Sequence, residues 1–531
     1  MSHSAEHSAS DSHPQDADMT TARKILWNTV SQIIGKGVIA VLGIVIIKVI
    51  TNYLGTSGYG EYVASFDYLA LFTIIADLGL YTIGIREMAK DEKEIPKIMG
   101  NILTIRTAFA IFVICIAGFV AFFIPQYRGT HIPLAVWLAG IAAFFNLLTS
   151  IISAVLQVNL KMEYNSLASV IGKIVNMSYI VFVVYILKPA SVDTGFYHLV
   201  FAGIIGNAAM FFVTWLYAKK FSPIKFRFDK DFVKDVVIKA LPYGIALVLN
   251  TIYFRIGSFS LSLLRTEAEV GIYGVPLRIL EAIGIIPLYF MNAVLPVLTR
   301  AIQRKDGSHQ KIIQYSFDFL VMGSMPIVAG AWALSYPIIG MVSSPDFLSN
   351  AANNFTGSDT VLPILIFALA FSFISSLFGF ILVADNHQMK ILTRNVIGAG
   401  LTVILDFTLV PHFGVRAAAF DNVLTECYVA VSSYFIAKHY IKFKLSFKNT
   451  FKMALCAVVM ATPISFLEPL TYKYLQEKCV FILIPIGIII YVGMLFITKT
   501  ITPEMLALIK KSKPLPAAEQ KEMPDHDGLE T

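Results

Sequence analysis

Charge is what this sequence has least of. Asp, Glu, Lys and Arg make up 15% of its 531 residues, where a soluble globular chain carries about 25%, so a water-soluble enzyme is excluded at the outset. Cysteine is scarce as well. Cys115, Cys427, Cys456 and Cys479 are scattered through apolar runs without CxxC spacing, which excludes a disulfide framework, a zinc site and thiol chemistry. Long polar stretches are missing too, so no soluble domain is inserted. The longest loop opposite the basic side, about residues 343–359, offers Asp346 and Asp359 and no His, too little for an enzyme's acid or His chemistry. His3, His7 and His13 stand four and six apart in a Ser/Asp-rich leader and are read as solvated, not metal-binding. No cofactor or metal is called for.

What is present is apolar. Hydrophobic residues reach 56% and the mean hydropathy is +0.70. A spanning helix needs about 20 apolar residues, and the chain divides into fourteen such runs joined by short interruptions. The expectation is an all-α polytopic membrane protein of about fourteen transmembrane helices. Residues 1–22 carry acids and no apolar run and are expected to form a disordered cytoplasmic tail. The first six spans fill 23–218, a basic cytoplasmic connection 219–239, spans seven to twelve 240–437, the last two 438–500, and a second cytoplasmic tail 501–531.

Orientation follows from the bases, because Lys and Arg near helix ends resist translocation. With both termini on one side, 30 Lys and Arg fall on that side and 6 on the other, Arg128, Lys188, Arg265, Arg416, Lys473 and Lys478. One missed helix would reverse every later assignment, so the split supports fourteen spans with both ends cytoplasmic. The connection from Lys219 to Lys239 holds seven of these bases and reads as a topology anchor.

Six bases lie inside spans: Lys36, Lys48, Arg106, Lys173, Arg255 and Arg278. Lys48 is near an end and is expected to snorkel. A base at mid-membrane costs roughly 2.5–3.5 kcal/mol on insertion scales, so the other five should face a partner or a wet cavity. Intramembrane acids, among them Asp67, Asp77, Glu281, Asp318, Asp406, Asp421 and Glu426, are available as partners. Arg278 and Glu281, three apart on one helix face, suit a structural pair, whereas Lys36, Arg106, Lys173 and Arg255 have no acid within four residues. If their helices share one cavity it is cationic, and it would suit an anionic head group, phosphate or pyrophosphate above all, with Arg supplying forked donors.

A weak internal repeat points to two lobes. Gly60-x-Tyr62 opens span two and Gly271-x-Tyr273 opens span eight, an offset of 211; Phe201 and Ala218-Lys219 recur as Phe420 and Ala437-Lys438, an offset of 219. Parallel repeats with a site between them are a common transporter plan. Pro242, Pro276, Pro287, Pro296, Pro326 and Pro337 crowd the second lobe and are read as kink points.

Three stretches resemble a known family. Asn28 to Glu87, with Lys36, Gly55, Gly58, Tyr59, Gly60, Asp77-Leu78-Gly79 and Arg86-Glu87, is similar to the opening of polysaccharide (oligosaccharidyl-lipid) flippases of the O-antigen exporter type. These belong to the multidrug/oligosaccharidyl-lipid/polysaccharide exporter superfamily. Ile252 to Arg300, with Arg255, Gly271, Tyr273, Arg278, Glu281 and Pro296, resembles that family's spans seven and eight, and Pro411 to Glu426 its span eleven to twelve turn. One departure stands out: the family often has Asp two residues after the span-seven Arg, and Gly257 stands there. Arg255 thus lacks a local counter-charge, which favours an anionic lipid partner for it.

The resemblance implies two pseudo-symmetric six-helix lobes plus two C-terminal helices. It implies a cell-membrane flippase moving a polyprenyl-(pyro)phosphate-linked oligosaccharide from the cytoplasmic to the outer leaflet by alternating access, for cell-surface polysaccharide biosynthesis. Lys36, Arg106, Lys173, Arg255 and Arg278 are the candidate substrate-binding residues. Asp77, Glu281, Asp318, Asp406 and Glu426 are the candidates for ion coupling or charge pairing, with H⁺ or Na⁺ as the ion. Expected partners are the lipid-linked oligosaccharide, membrane lipid and polysaccharide assembly proteins, with no nucleic acid and a monomer as the default. The second reading is a cation-coupled multidrug or small-molecule antiporter. Drug-exporting relatives use acids within spans one and seven, and here those spans contain none.

Overall fold

A computed structural model describes residues 14–304, 307–350 and 355–500. Every element among them is helical apart from one isolated bridge between Asn350 and Phe355. Among the described residues ten segments, against the fourteen runs expected, are long and apolar enough to cross a membrane, and two of these, Ser31–Met88 and Lys448–Ile497, run for 58 and 50 residues. Both are bent. The first helix, α1 (Pro14–Asp77), folds back at Gly55, whose φ of 66° and ψ of −169° fall in a region essentially reserved for glycine. The other long segment turns through residues 476–479, between α15 (Lys448–Leu475) and α16 (Val480–Ile497).

Helix α1 begins at Pro14, inside the stretch expected to be a tail. A proline is tolerated in a first helical turn because the N–H it lacks has no partner there. Residues 1–13 and 501–531 of the two expected tails lie outside the described residues.

After α1 come α2 (Leu80–Met88), α3 (Ile95–Ala121), α4 (Ile132–Val158), α5 (Met162–Val181) and α6 (Val192–Ala218), which pack on one another and on α1. An extended connection then crosses the start of α3, where the Asp229 N–H donates to Asn101 Oδ1 at 2.6 Å. A second set follows: α7 (Lys230–Leu264), α8 (Glu267–Ile283), α9 (Ile285–Arg304), α10 (Ser308–Ala333), α11 (Ser335–Val342), α12 (Ser358–Ala384), α13 (Gln388–Phe413) and α14 (Val415–Tyr440). Helices α15 and α16 pack against α10. Two of the expected kink prolines break their helices where backbone chemistry requires it. Pro287 cannot donate to Ile283 and Pro337 cannot donate to Ala333, and α8 and α10 end at those two residues.

The two sets meet chiefly where the second arm of α1 lies against α8 and α7, and the meeting follows the repeat. A Cβ added to Gly60 would overlap the Glu267 carbonyl and one added to Gly271 would overlap that of Thr56, each glycine also lying against the other's N–H. One turn on, Val63 packs against Gly274, where an added Cβ would lie 3.1 Å from Val63 Cγ2. A further turn on, Asp67 meets Arg278 across 211 residues. Each pair consists of residues related by the 211-residue offset of the sequence repeat. Spacings of three and four keep the pairs on one helix face.

Overpacking a tight contact costs about 1–3 kcal/mol, while Gly→Ala in an open helical position gains up to about 1 kcal/mol. Gly60→Ala and Gly271→Ala should each lower the midpoint of thermal unfolding of the purified protein. Gly43→Ala, with nothing within 4 Å of its added Cβ, should hold or raise it. Equal midpoints in all three would remove the glycine seam as a close contact.

Candidate functional site

Asp67, 2% exposed, is the centre of a four-membered ion cluster. Its Oδ1 accepts from Arg255 Nη1 at 3.0 Å and from Arg278 Nη2 at 2.9 Å. Glu281 closes the ring, with Oε1 2.7 Å from Arg255 Nη1 and Oε2 2.8 Å from Arg278 Nη1. The sequence-adjacent pair Arg278 and Glu281 therefore forms, and Arg255 also has counter-charges after all. They come from Asp67, 188 residues away, and from Glu281 on the next helix, not from its own helix as the missing Asp at Gly257 would have provided. The four charges balance, so the cluster bridges the two sets without adding net charge.

Two cavities flank it. One, of about 570 Å³, is lined by Lys36, Lys173, Tyr59 and Tyr62 together with all four cluster residues. Neither Lys36 nor Lys173 lies within ion-pair distance of an acid among the described residues, so this cavity keeps a surplus of two positive charges. The other, of about 630 Å³, shares Arg255 and Glu281 with the first and adds Asp77, Arg106 and Glu426. Arg106, 2% exposed, is held by Asp77 at 2.6 Å. The five candidate bases thus converge on two adjoining cavities, three of them neutralised by acids and two not.

The candidate acids separate. Asp77 and Glu281 pair with bases, and Glu426 lines the larger cavity. Asp318 lies outside both cavities; it accepts from Gln314 Nε2 at 2.9 Å and from Asn449 Nδ2 at 2.8 Å, and so fastens α10 to α15. Asp406, fully buried on α13, faces Asp421 on α14 and Ser260 on α7. None of the four carboxyl oxygens of Asp406 and Asp421 makes a hydrogen bond among the described residues. Lys48 departs from its expected role. It donates to the carbonyls of Gly340 at 2.5 Å and Ser343 at 2.6 Å, capping the C-terminal end of α11, where a cation is favoured. Beside it the Ser344 N–H donates to Thr51 Oγ1 at 3.1 Å.

A family model described as "Polysaccharide biosynthesis protein" matches residues 21–302, more than half of the 531-residue chain. The chain belongs to this family. Among solved structures, the chain is similar to "Lipid II flippase MurJ, inward closed conformation" at 16% identity and a TM-score of 0.70, over 89% of this chain and 98% of that one. It is also similar to an inward-facing multidrug resistance MATE family transporter of the MOP superfamily, at 14% identity and a TM-score of 0.61, over 76% of this chain and 93% of that one. An outward-facing form of such a transporter gives 15% identity and 0.54, over 78% and 95%. At these identities what is shared is the fold: an all-helical, multi-pass membrane architecture. None of the curated proteins matches the sequence.

Sequence alone could name Arg278 and Glu281 as partners because they sit three apart. It offered Asp67 only as one of several buried acids, and the sole numerical hint to its partner was the 211-residue offset of the glycine motif, which carries Asp67 onto Arg278.

Removing one member of a buried ion pair costs about 3–5 kcal/mol, and replacing both by apolar residues costs far less. Arg106→Met should therefore destabilise the purified protein more than Arg106→Met with Asp77→Leu, as read by thermal unfolding. A double variant at least as unstable as the single one would show that the pair does not act as a unit.

Proposed function

We propose that this protein is a cell-membrane flippase that moves a polyprenyl-(pyro)phosphate-linked oligosaccharide from the cytoplasmic to the outer leaflet during cell-surface polysaccharide synthesis. The observation that carries this reading is the cavity in which Lys36 and Lys173 stand without acids beside two arginines already shared with Asp67 and Glu281. At an effective dielectric of about 20, two unit charges 4 Å apart interact by about 4 kcal/mol. A pyrophosphate placed between Lys36 and Lys173 therefore gains from both, and its oxygens suit the arginine forks next to them. Membership of the polysaccharide biosynthesis family and the fold shared with a lipid II flippase support the same substrate class.

The cluster supplies a coupling between ligand and conformation. Asp67 belongs to the first helical set and Arg255 and Arg278 to the second, so their ion pairs hold the two sets together. A pyrophosphate competing for those guanidinium groups releases Asp67 and favours the state in which the sets separate there. A ligand shifts a two-state equilibrium only through such differential contacts, and this one gives alternating access between two lobes a physical cause. On this account both termini face the cytoplasm and the protein works without catalysing a reaction, as a monomer or with assembly proteins beside it.

The buried Asp406 and Asp421 are the candidate coupling-ion site. Their carboxyl oxygens face each other without a hydrogen-bond partner among the described residues, so a proton or Na⁺ bound there and released in another conformation would link transport to a gradient. The same pair and the fold shared with multidrug transporters also suit a cation-coupled antiporter. A cavity with two surplus positive charges repels organic cations, which supports the lipid-linked anion over the antiporter reading.

Expression in a host lacking its own oligosaccharide flippase, scored by surface glycan, tests the reading. Wild type should restore glycan, and Lys36→Ala with Lys173→Ala should reduce it at least tenfold at equal membrane insertion; full activity of that variant would remove the two lysines as the site. In proteoliposomes, Asp406→Asn should make transport indifferent to an imposed H⁺ or Na⁺ gradient. Retained gradient dependence would place the coupling elsewhere.

A further inference from the structure

The larger cavity differs from its neighbour in chemistry. Its bases are neutralised, Arg106 by Asp77 and Arg255 by Asp67 and Glu281, and the further charge on its wall is the carboxyl of Glu426. An anion gains nothing here. What the cavity offers is neutral polar groups from five helices: Thr73 of α1, Asn146 and Ser150 of α4, Thr251 of α7, Ser372 of α12 and Asn422 of α14. Asn146 is exposed in the middle of an apolar helix, a position that is unfavourable against lipid and suits a wet cavity. Phe254, 49% exposed, adds an apolar ring to the same wall. Amide, hydroxyl and carboxyl groups beside an aromatic face are the complement of a sugar, whose hydroxyls both donate and accept and whose C–H face is apolar.

The geometry points to a division of the head group. We propose that the cavity of about 630 Å³ is a glycan subsite for neutral or amide-bearing sugars, adjoining the cationic cavity that takes the pyrophosphate. Its volume lies within the roughly 300–1,000 Å³ of pockets that enclose drug-sized ligands, enough for more than one sugar ring. The two cavities share Arg255 and Glu281, as a continuous phosphate-sugar head group requires. Asn146 comes from the first helical set and Thr251 from the second, so a bound sugar touches both sets and reports the same lobe movement as the phosphate. This inference rests on the flippase reading and deepens it.

The test is binding to the purified full chain of two probes: a bare polyprenyl pyrophosphate, and the same lipid carrying a neutral trisaccharide. Wild type should bind the glycosylated lipid about tenfold tighter. Asn146→Ala with Thr251→Val should bring its affinity down to that of the bare lipid and leave the bare lipid unchanged, which also shows that the variant is folded. Lys36→Ala with Lys173→Ala should weaken both probes. The subsite is overturned if the Asn146 and Thr251 variant weakens both probes alike or neither. It is also overturned if a trisaccharide containing a uronic acid binds tighter than the neutral one. If wild type binds neither lipid, the flippase reading itself fails, an outcome distinct from the others because it needs no variant.

Discussion

The contact on which the rest of this structure depends is the seam between the second arm of α1 and α8. Gly60 meets Gly271, Val63 meets Gly274 and Asp67 meets Arg278, each residue facing its own counterpart in the repeat. An interface between equivalent surfaces brings like residues together at its axis, and two aspartates or two arginines there would repel in a low dielectric. Here one set supplies the acid and the other the base. The glycines let the backbones close, and closure brings Asp67 within reach of both Arg255 and Arg278.

Electrostatic accounting then sorts the intramembrane bases by what they are free to do. Arg106, Arg255 and Arg278 are committed to acids, and Lys48 to the carbonyls that end α11. Lys36 and Lys173 face a cavity without an acid of their own. A committed arginine is still available to a ligand, but only by exchange, and exchange at Asp67 loosens the seam. On the proposed reading the uncommitted lysines attract the ligand, while the arginines and Asp67 convert its arrival into a change of shape. Asp406 lies near Gly257, whose added Cβ would stand 3.9 Å from Asp406 Oδ2.

How much of this was legible in the sequence depends on the range of the interaction. Helix formation is a local property, and the ends of α8 and α10 fall where Pro287 and Pro337 dictate, whereas Pro276, Pro296 and Pro326 lie inside continuous helices. That Lys36, Arg106, Lys173, Arg255 and Arg278 each face a wet cavity or a partner was legible too, because a base in an apolar span cannot face lipid cheaply; that they converge was only a condition. Which of those each base faces was not legible: Asp67 and Arg255 are separated by 188 residues, and no periodicity reports on a contact of that range. Asp318 shows the limit from the other side. As a buried acid it resembled a coupling group, but Gln314 and Asn449 satisfy it as a structural fastener.

The central claim is that the acid-free lysines and the shared arginines carry a lipid-linked anion across the membrane. The most direct measurement is the rate of transbilayer movement of a fluorescent polyprenyl-pyrophosphate-linked oligosaccharide in vesicles reconstituted with the full chain. The account predicts movement well above that of protein-free vesicles, competed by bare polyprenyl pyrophosphate and not by organic cations. Movement no faster than in protein-free vesicles, alongside uptake of an organic cation by the same preparation, would contradict it.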